Sequence, residues 1–383
     1  MQEKWIPGCR KLALGLIIAS LGVCPLAMAK SPVPVPAKTA ASATVRPAGS
    51  GQAAVQTTPA GQMPAGQAAV QAGQVAADGT AVPEIVQPQI PAMVGVQVPG
   101  YYRVKVGQFE VTALFDGTLD FHSELLKNMD KAAIDKALSH HYGRATGIQS
   151  PINAYLVHTG DHLVLIDAGA GKLFSEDRQG RILANLKAAG YQPEQVDIVI
   201  MTHLHGDHTG GLSDMEGRAV FPNATVYANR MENEYWLSEQ QAAAAPVERQ
   251  IFFKMARESA VPYLMTEKWK AIEGGAEIVP GIRAVAAYGH TPGHTAFEIT
   301  SDGQSLLVWG DIVHSHVIQF SHPEVAIEYD SDAVAAVRTR QALLKDVAAK
   351  REMVAGMHLP FPGLGYVVAE GDGKYTWIPV EYQ

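Results

Sequence analysis

The segment THLHGDHTGG at 202–211 places three imidazoles and a carboxylate, His203, His205, Asp207 and His208, within six positions. Crowding that many polar groups into a packed interior is costly unless they share a cation, and imidazole with carboxylate is a first-row metal ligand set. The run follows the apolar, β-branched stretch VDIVIM at 196–201, which reads as a buried strand. Its ligands therefore sit on a loop leaving a strand end, where a scaffold can hold them and still admit a substrate. Three later segments repeat the arrangement: GHTPGHT at 289–295, LLVWGD at 306–311 and VAGMH at 354–358. A lone strand-end His is ordinarily a structural group. Several of them delivered to one sheet edge can build a polynuclear site.

The elements that must position these residues begin near residue 101. Alternating apolar and polar residues predict a hairpin over 102–107 and 109–115, and strands over 152–157 and 162–167. Helical spacing predicts helices over 123–140, 180–189, 232–241, 248–258 and 332–345. Further strands are expected over 225–228, 282–286, 296–300, 305–309, 353–357 and 375–380. Two β-rich halves with interspersed helices point to an α/β chain built as an αββα sandwich, two sheets face to face with helices outside.

The 383 residues divide by composition. A basic start (Lys4, Arg10, Lys11), the apolar run LALGLIIASL at 12–21 and AMA at 27–29 form a cleavable secretory signal over 1–29. That run is too short for a membrane span, so periplasmic or secreted location without stable membrane insertion is expected. Val23 is bulky where lipoprotein cleavage wants a small residue, which argues against a lipid anchor on Cys24. Both cysteines, Cys9 and Cys24, lie inside the signal, so the mature chain offers a metal only nitrogen and oxygen. Cleavage removes Glu3 with the three basic residues and moves the net charge from −8 to −10. With no Lys/Arg stripe, nucleic acid is not an expected partner. Residues 30–97, rich in Ala, Pro, Gln and Gly, read as a disordered linker, and 98–383 as the catalytic domain.

The motif HLHGDH with the later His, Asp and His resembles the metallo-β-lactamase superfamily. The resemblance implies that His203, His205 and His290 hold one metal, that Asp207, His208 and His358 hold another, and that Asp311 bridges both. His294 and Asp167 are then expected behind the ligands, and Asp207 and Asp311 count as catalytic carboxylates. Within the superfamily the chain resembles methyl parathion hydrolase and related lactone and aryl-ester hydrolases. The blocks are VPGYYR at 98–103, FEVTAL at 109–114, DAGAGKLF at 167–174, LKAAGYQPEQV at 186–196, WLS at 236–238 and HLPFPGLG at 358–365. The resemblance implies a substrate pocket lined by Phe174, Trp236 and Phe252, and a homodimer. His314 stands where an apolar pocket residue is expected, and is carried as a pocket candidate.

Two divalent cations about 3.5–4 Å apart can share one water and lower its pKa, giving a hydroxide nucleophile at neutral pH. Zinc suits this shell; ligand identity alone leaves manganese, cobalt and iron open. The expected activity is therefore metal-dependent hydrolysis of small-molecule carboxylic esters, lactones or phosphotriesters. A β-lactamase is disfavoured because a bridging Asp311 is not part of that ligand set. A glyoxalase II-like thioesterase shares all seven ligands but not the later blocks. An N-acyl homoserine lactonase usually carries a Tyr shortly after the bridging acid, and none follows Asp311 closely. A metal-containing binding module without catalysis would be marked by a lost ligand, and none is lost.

Overall fold

Strand-period alternation decides the layering of this protein. The structure is a computed structural model that describes residues 90–141, 147–171, 173–174 and 178–382. The expected signal segment and the linker up to residue 89 lie outside the described residues. Residues 90–99 are exposed and carry no helix or strand, and Gln97–Gln383 forms one compact unit. Among the described residues no helix is long and apolar enough to cross a membrane.

The first sheet contains β1 (Tyr101–Val106), β2 (Phe109–Phe121), β4 (Ile148–His158), β5 (Leu163–Ile166), β6 (Ile198–Ile200), β7 (Thr225–Asn229) and β8 (Trp269–Ile272), in that order. The second runs from β9 (Glu277–Val279) through β10 (Ile282–Ala286), β11 (Thr295–Ser301), β12 (Gln304–Val308), β14 (Met353–Ala355) and β15 (Leu364–Gly371) to β16 (Lys374–Pro379). A two-stranded sheet pairs β3 (Leu126–Lys127) with β13 (Ala326–Ile327). The helices are α1 (Lys131–His140), α2 (Ile182–Ala188), α3 (Gly206–Thr209), α4 (Arg230–Trp236), α5 (Glu239–Ala244), α6 (Gln250–Leu264) and α7 (Ala333–Lys350).

Successive strand side chains face opposite ways, so each sheet feeds two cores. Ala113, Val157, Ile166 and Ile200 meet Ala284, Phe297, Val308 and Met357 between the sheets. The alternate residues Leu114, Leu156, Leu165 and Val199 pack outward on Ile182 and Leu186 of α2 and on Phe253 and Ala256 of α6. Leu307 and Val354 do the same beneath Leu344 and Val347 of α7. These layers are the expected αββα sandwich, and each fully buried large aliphatic side chain contributes about 1.5–3 kcal/mol.

β5 to β8 run parallel, as do β12 and β14, so their carboxyl ends gather at one edge. His203 follows β6 by three residues, Asp311 follows β12 by three and His358 follows β14 by three. That edge is where an α/β sheet ordinarily places its ligands.

The helix expected over 123–140 is shorter than its spacing implied. Asn128 takes a left-handed φ of 67°, and Asp130 caps a helix that starts only at Lys131. The preceding residues instead form β3, whose Leu126 pairs with Ile327. The helix expected over 232–241 breaks in two because Ser238 caps α5, its side chain accepting from the Gln241 N–H.

Candidate metal centre

Four histidines of the cluster are held by their outer nitrogens. The His208 Nδ1 lies 2.7 Å from Asp167 Oδ2 and the His290 Nδ1 2.9 Å from Asp330 Oδ1. The His358 Nδ1 donates to the Pro151 carbonyl at 2.7 Å. Thr202 Oγ1 donates to Asp167 Oδ2 at 2.7 Å, so it accepts from the His203 Nδ1 at 3.0 Å. In all four rings Nδ1 carries the proton and Nε2 turns a lone pair inward. His205 presents its Nδ1 instead, 3.1 Å from both the His203 and the His290 Nε2.

Those inward atoms form two groups, His203, His205, His290 and Asp311, and Asp207, His208 and His358; a third, overlapping group joins Asp311 and His358 to His314. Asp311 faces both: its Oδ1 is 3.2 Å from the His208 Nε2, and its Oδ2 is 3.3 Å from the His290 Nε2 and 3.2 Å from the His358 Nε2. The Asp207 Oδ2 lies 3.6 Å from the His208 Nε2 and 3.4 Å from the His358 Nε2.

These residues fit a pair of divalent cations. Tetrahedral ligands bonded at about 2.0–2.1 Å stand about 3.3–3.4 Å apart, close to the spacing seen here. Facing lone pairs repel unless a cation lies between them. The fully buried His208 Nε2 and Asp311 Oδ1 have no hydrogen-bond partner, which is costly for a closed interior and ordinary for metal ligands.

Protonation follows the same logic. Burial, reinforced by neighbouring imidazoles, holds His203 and His205 well below the ordinary histidine value. Burial opposes charge on His208, His290 and His358 too, but Asp311 and the other carboxylates beside them outweigh it. His290 is pushed up to about 9. A cation and a proton compete for the same inward lone pairs. Burial likewise opposes ionisation of Asp311, yet His208, His358, His203 and His314 around it hold its carboxyl well below the usual range.

Backbone geometry fixes the supports. Asp167 takes a φ of 59° at the end of β5 and accepts the Thr202 N–H at 2.8 Å besides its two side-chain partners. His294 donates from Nδ1 to the Ala287 carbonyl at 3.0 Å and accepts the Asp311 N–H on Nε2 at 2.9 Å. Asp167 and His294 thus stand behind the cluster.

The four residues named for a pocket are placed unequally. Phe174 is 39% exposed and lies over Gly206. Phe252 is half-buried, its ring 6.2 Å from His205. Trp236 is only 5% exposed and packs edge-on against His205 at 5.1 Å, within the core of α4 and α6. His314 is buried against the cluster, its Nε2 3.1 Å from Asp311 Oδ2 and its ring stacked on His358 at 5.1 Å.

Asp330, Glu232 and Thr202 also touch the ligands or their loops but were not singled out from the sequence. A capping-type acid on a helix or a polar residue after a turn carries no local signal that its partner is an imidazole 40 residues away.

The fold and the metal-ligand cluster define a class of protein, and comparison with known proteins agrees. The family model "Metallo-beta-lactamase superfamily" matches residues 147–358, so the chain belongs to that superfamily. Among solved structures, the hydrolase AbOPH of the β-lactamase superfamily is 41% identical with a TM-score of 0.72, covering 75% of this chain and 100% of that one. AidC, a dizinc quorum-quenching lactonase, is 27% identical with a TM-score of 0.69, covering 74% and 98%. Curated relatives include an N-acyl homoserine lactonase of Bacillus thuringiensis, 27% identical over 192 residues, or 45% of this chain and 66% of that protein. Another is the lactonase AttM of Agrobacterium fabrum, 32% identical over 127 residues, covering 32% and 42%. The chain thus spans no more than 66% of the length of these curated lactonases.

Proposed function

We propose that this protein is a secreted dinuclear metallohydrolase that cleaves carboxylic esters and lactones. The observation that carries the reading is Asp311, one buried carboxylate that faces two separate groups of ligand atoms. His203, His205 and His290 would hold one cation and Asp207, His208 and His358 the other, with zinc suited to both shells. Bound there, the pair would supply Lewis acidity and lower the pKa of water at the site.

The chain's own groups do the rest. Asp311 holds the two shells together and lends charge to both. Asp207, 15% exposed where the other ligands of its group are buried, is the acid that meets the mouth and is placed to take up a proton. Phe174 and Phe252 offer an apolar rim for the acyl or aryl portion of a small-molecule substrate. A phenolate or alkoxide of low basicity needs no separate acid to leave.

AidC and the curated lactonases support the lactone class, although no Tyr closely follows Asp311. Phosphotriesters are the second reading, resting only on the resemblance of the sequence blocks to methyl parathion hydrolase. Secretion rests on the signal character of 1–29, and the homodimer on family resemblance alone. A panel of lactones, aryl esters, phosphotriesters and β-lactams tests the assignment on purified mature protein. Turnover of lactones or aryl esters, lost by at least about 100-fold in Asp311→Ala, is expected because a metal site contributes several kcal/mol. Inactivity on every ester with two metals bound would favour a binding module.

A further inference from the structure

Glu232 is a fully buried acid whose carboxylate bonds the backbone of the ligand loops. It sits in the first turn of α4, and its two oxygens reach two different ligand loops. Oε2 accepts the N–H of Leu204, the residue between His203 and His205, at 3.0 Å. Oε1 accepts the N–H of Gly293, three residues beyond His290, at 2.6 Å. The start of α4 is pressed against the second loop. A Cβ on Gly293 would lie 2.7 Å from the Glu232 nitrogen and 2.9 Å from Asn229 Oδ1. Asn229, the cap of α4, also donates from Nδ2 to Thr295 Oγ1 at 3.2 Å.

One carboxylate therefore ties the segment bearing His203 and His205 to the segment bearing His290. These three side chains, with Asp311, form one group of ligand atoms. Glu232 makes no bond to the segments on the other side: His358 is held by the Pro151 carbonyl, and His208 by Asp167, which also reaches His203 through Thr202. We infer that Glu232 is a positioning residue that sets the geometry of the His203/His205/His290 position, whereas Asp167, which holds His208 directly and His203 through Thr202, serves both positions. This rests on the two-cation reading above.

The physical reason is the pairing of donors. A carboxylate accepts on both oxygens, whereas an amide of the same shape accepts on one and donates on the other. In Glu232→Gln either the Leu204 or the Gly293 N–H faces an N–H₂ group, and the two loops lose their common anchor. Removing such a support behind a ligand typically weakens metal binding 10–100-fold.

The test strips metal from the full-length mature protein with graded chelator, measures metal per chain, and reads occupancy at each position by anomalous scattering from partly stripped crystals. The wild type should hold two equivalents. Glu232→Gln should release one equivalent at about 10–100-fold lower free chelator, with density falling at His203/His205/His290 and persisting at Asp207/His208/His358. Glu232→Ala removes both acceptors and should go further the same way; should it fail to fold, Glu232→Gln decides alone. Parallel loss from both positions, as a general destabilisation would give, or retention like the wild type, would overturn the inference and leave the two-cation reading standing. A wild type without metal would overturn both.

Discussion

Gly310→Ala probes how tightly the bridging acid is held. Gly310 precedes Asp311 and takes a left-handed φ of 61°. An added Cβ would lie 2.4 Å from the His294 Nε2 and 3.0 Å from the Thr202 Cβ. An ordinary contact needs about 3.5 Å, so His294 must move about 1 Å or the backbone must. His294 has no room to yield: it is fully buried, donates to the Ala287 carbonyl and accepts the Asp311 N–H through that same nitrogen. The left-handed conformation costs an alanine about 1–2 kcal/mol, and orphaning a buried N–H about 1–3 kcal/mol. A total of about 2–5 kcal/mol follows, and displacement of Asp311 by about 1 Å would cost about 100-fold in turnover. Gly303→Ala supplies the reference, since its φ is 74° with nothing within 4 Å of the added carbon. It should lose only the conformational part, about 1–2 kcal/mol. Urea unfolding of the two metal-free variants beside the wild type reads the difference. Equal losses in both, with turnover intact in Gly310→Ala, would refute the steric argument.

Trp236→Ala should destabilise the fold by about 3–5 kcal/mol, as emptied aromatic core positions do, because the indole is buried between α4 and α6. Thermal unfolding checks this, and a change confined to KM would return Trp236 to a pocket role. Arg340 is buried and donates to the Ile312, Pro323 and Val325 carbonyls, at 2.6, 3.1 and 2.6 Å. Arg340→Met should therefore cost several kcal/mol, at about 1–3 kcal/mol for each buried carbonyl left without its donor, and loosen the loop after Asp311. Urea unfolding and turnover together read both effects. Chelation should abolish turnover and lower the thermal midpoint, since cations that bind only the folded state stabilise it. Restoring divalent metal should recover both, and a midpoint unmoved by chelation would speak against bound cations.

Much of the site was legible because each inward side chain follows a run of buried β-branched or aliphatic residues. VDIVIM before His203 and LLVWG before Asp311 announce strand, edge and ligand together. The supports were less legible. Asp167 and His294 stand next to recognisable motifs, whereas Asp330 and Glu232 act through partners on other elements and look locally like ordinary turn and helix acids. Nothing in IVH at 312–314 says that the loop brings the His314 imidazole within 3.1 Å of Asp311. The longest misplaced element, the helix over 123–140, lost its first half to pairing of Leu126 with Ile327, a contact no local period can report. The edge strands β8 and β9 were missed because their short, partly exposed segments show little alternation.

Metal content is the measurement closest to the centre of the account. Purified mature protein, dialysed against metal-free buffer and analysed by mass spectrometry for elements, should carry about two divalent ions per chain. Asp311→Ala should retain fewer while still folding. A wild type with no bound metal, or an Asp311→Ala variant that keeps both ions, would contradict it.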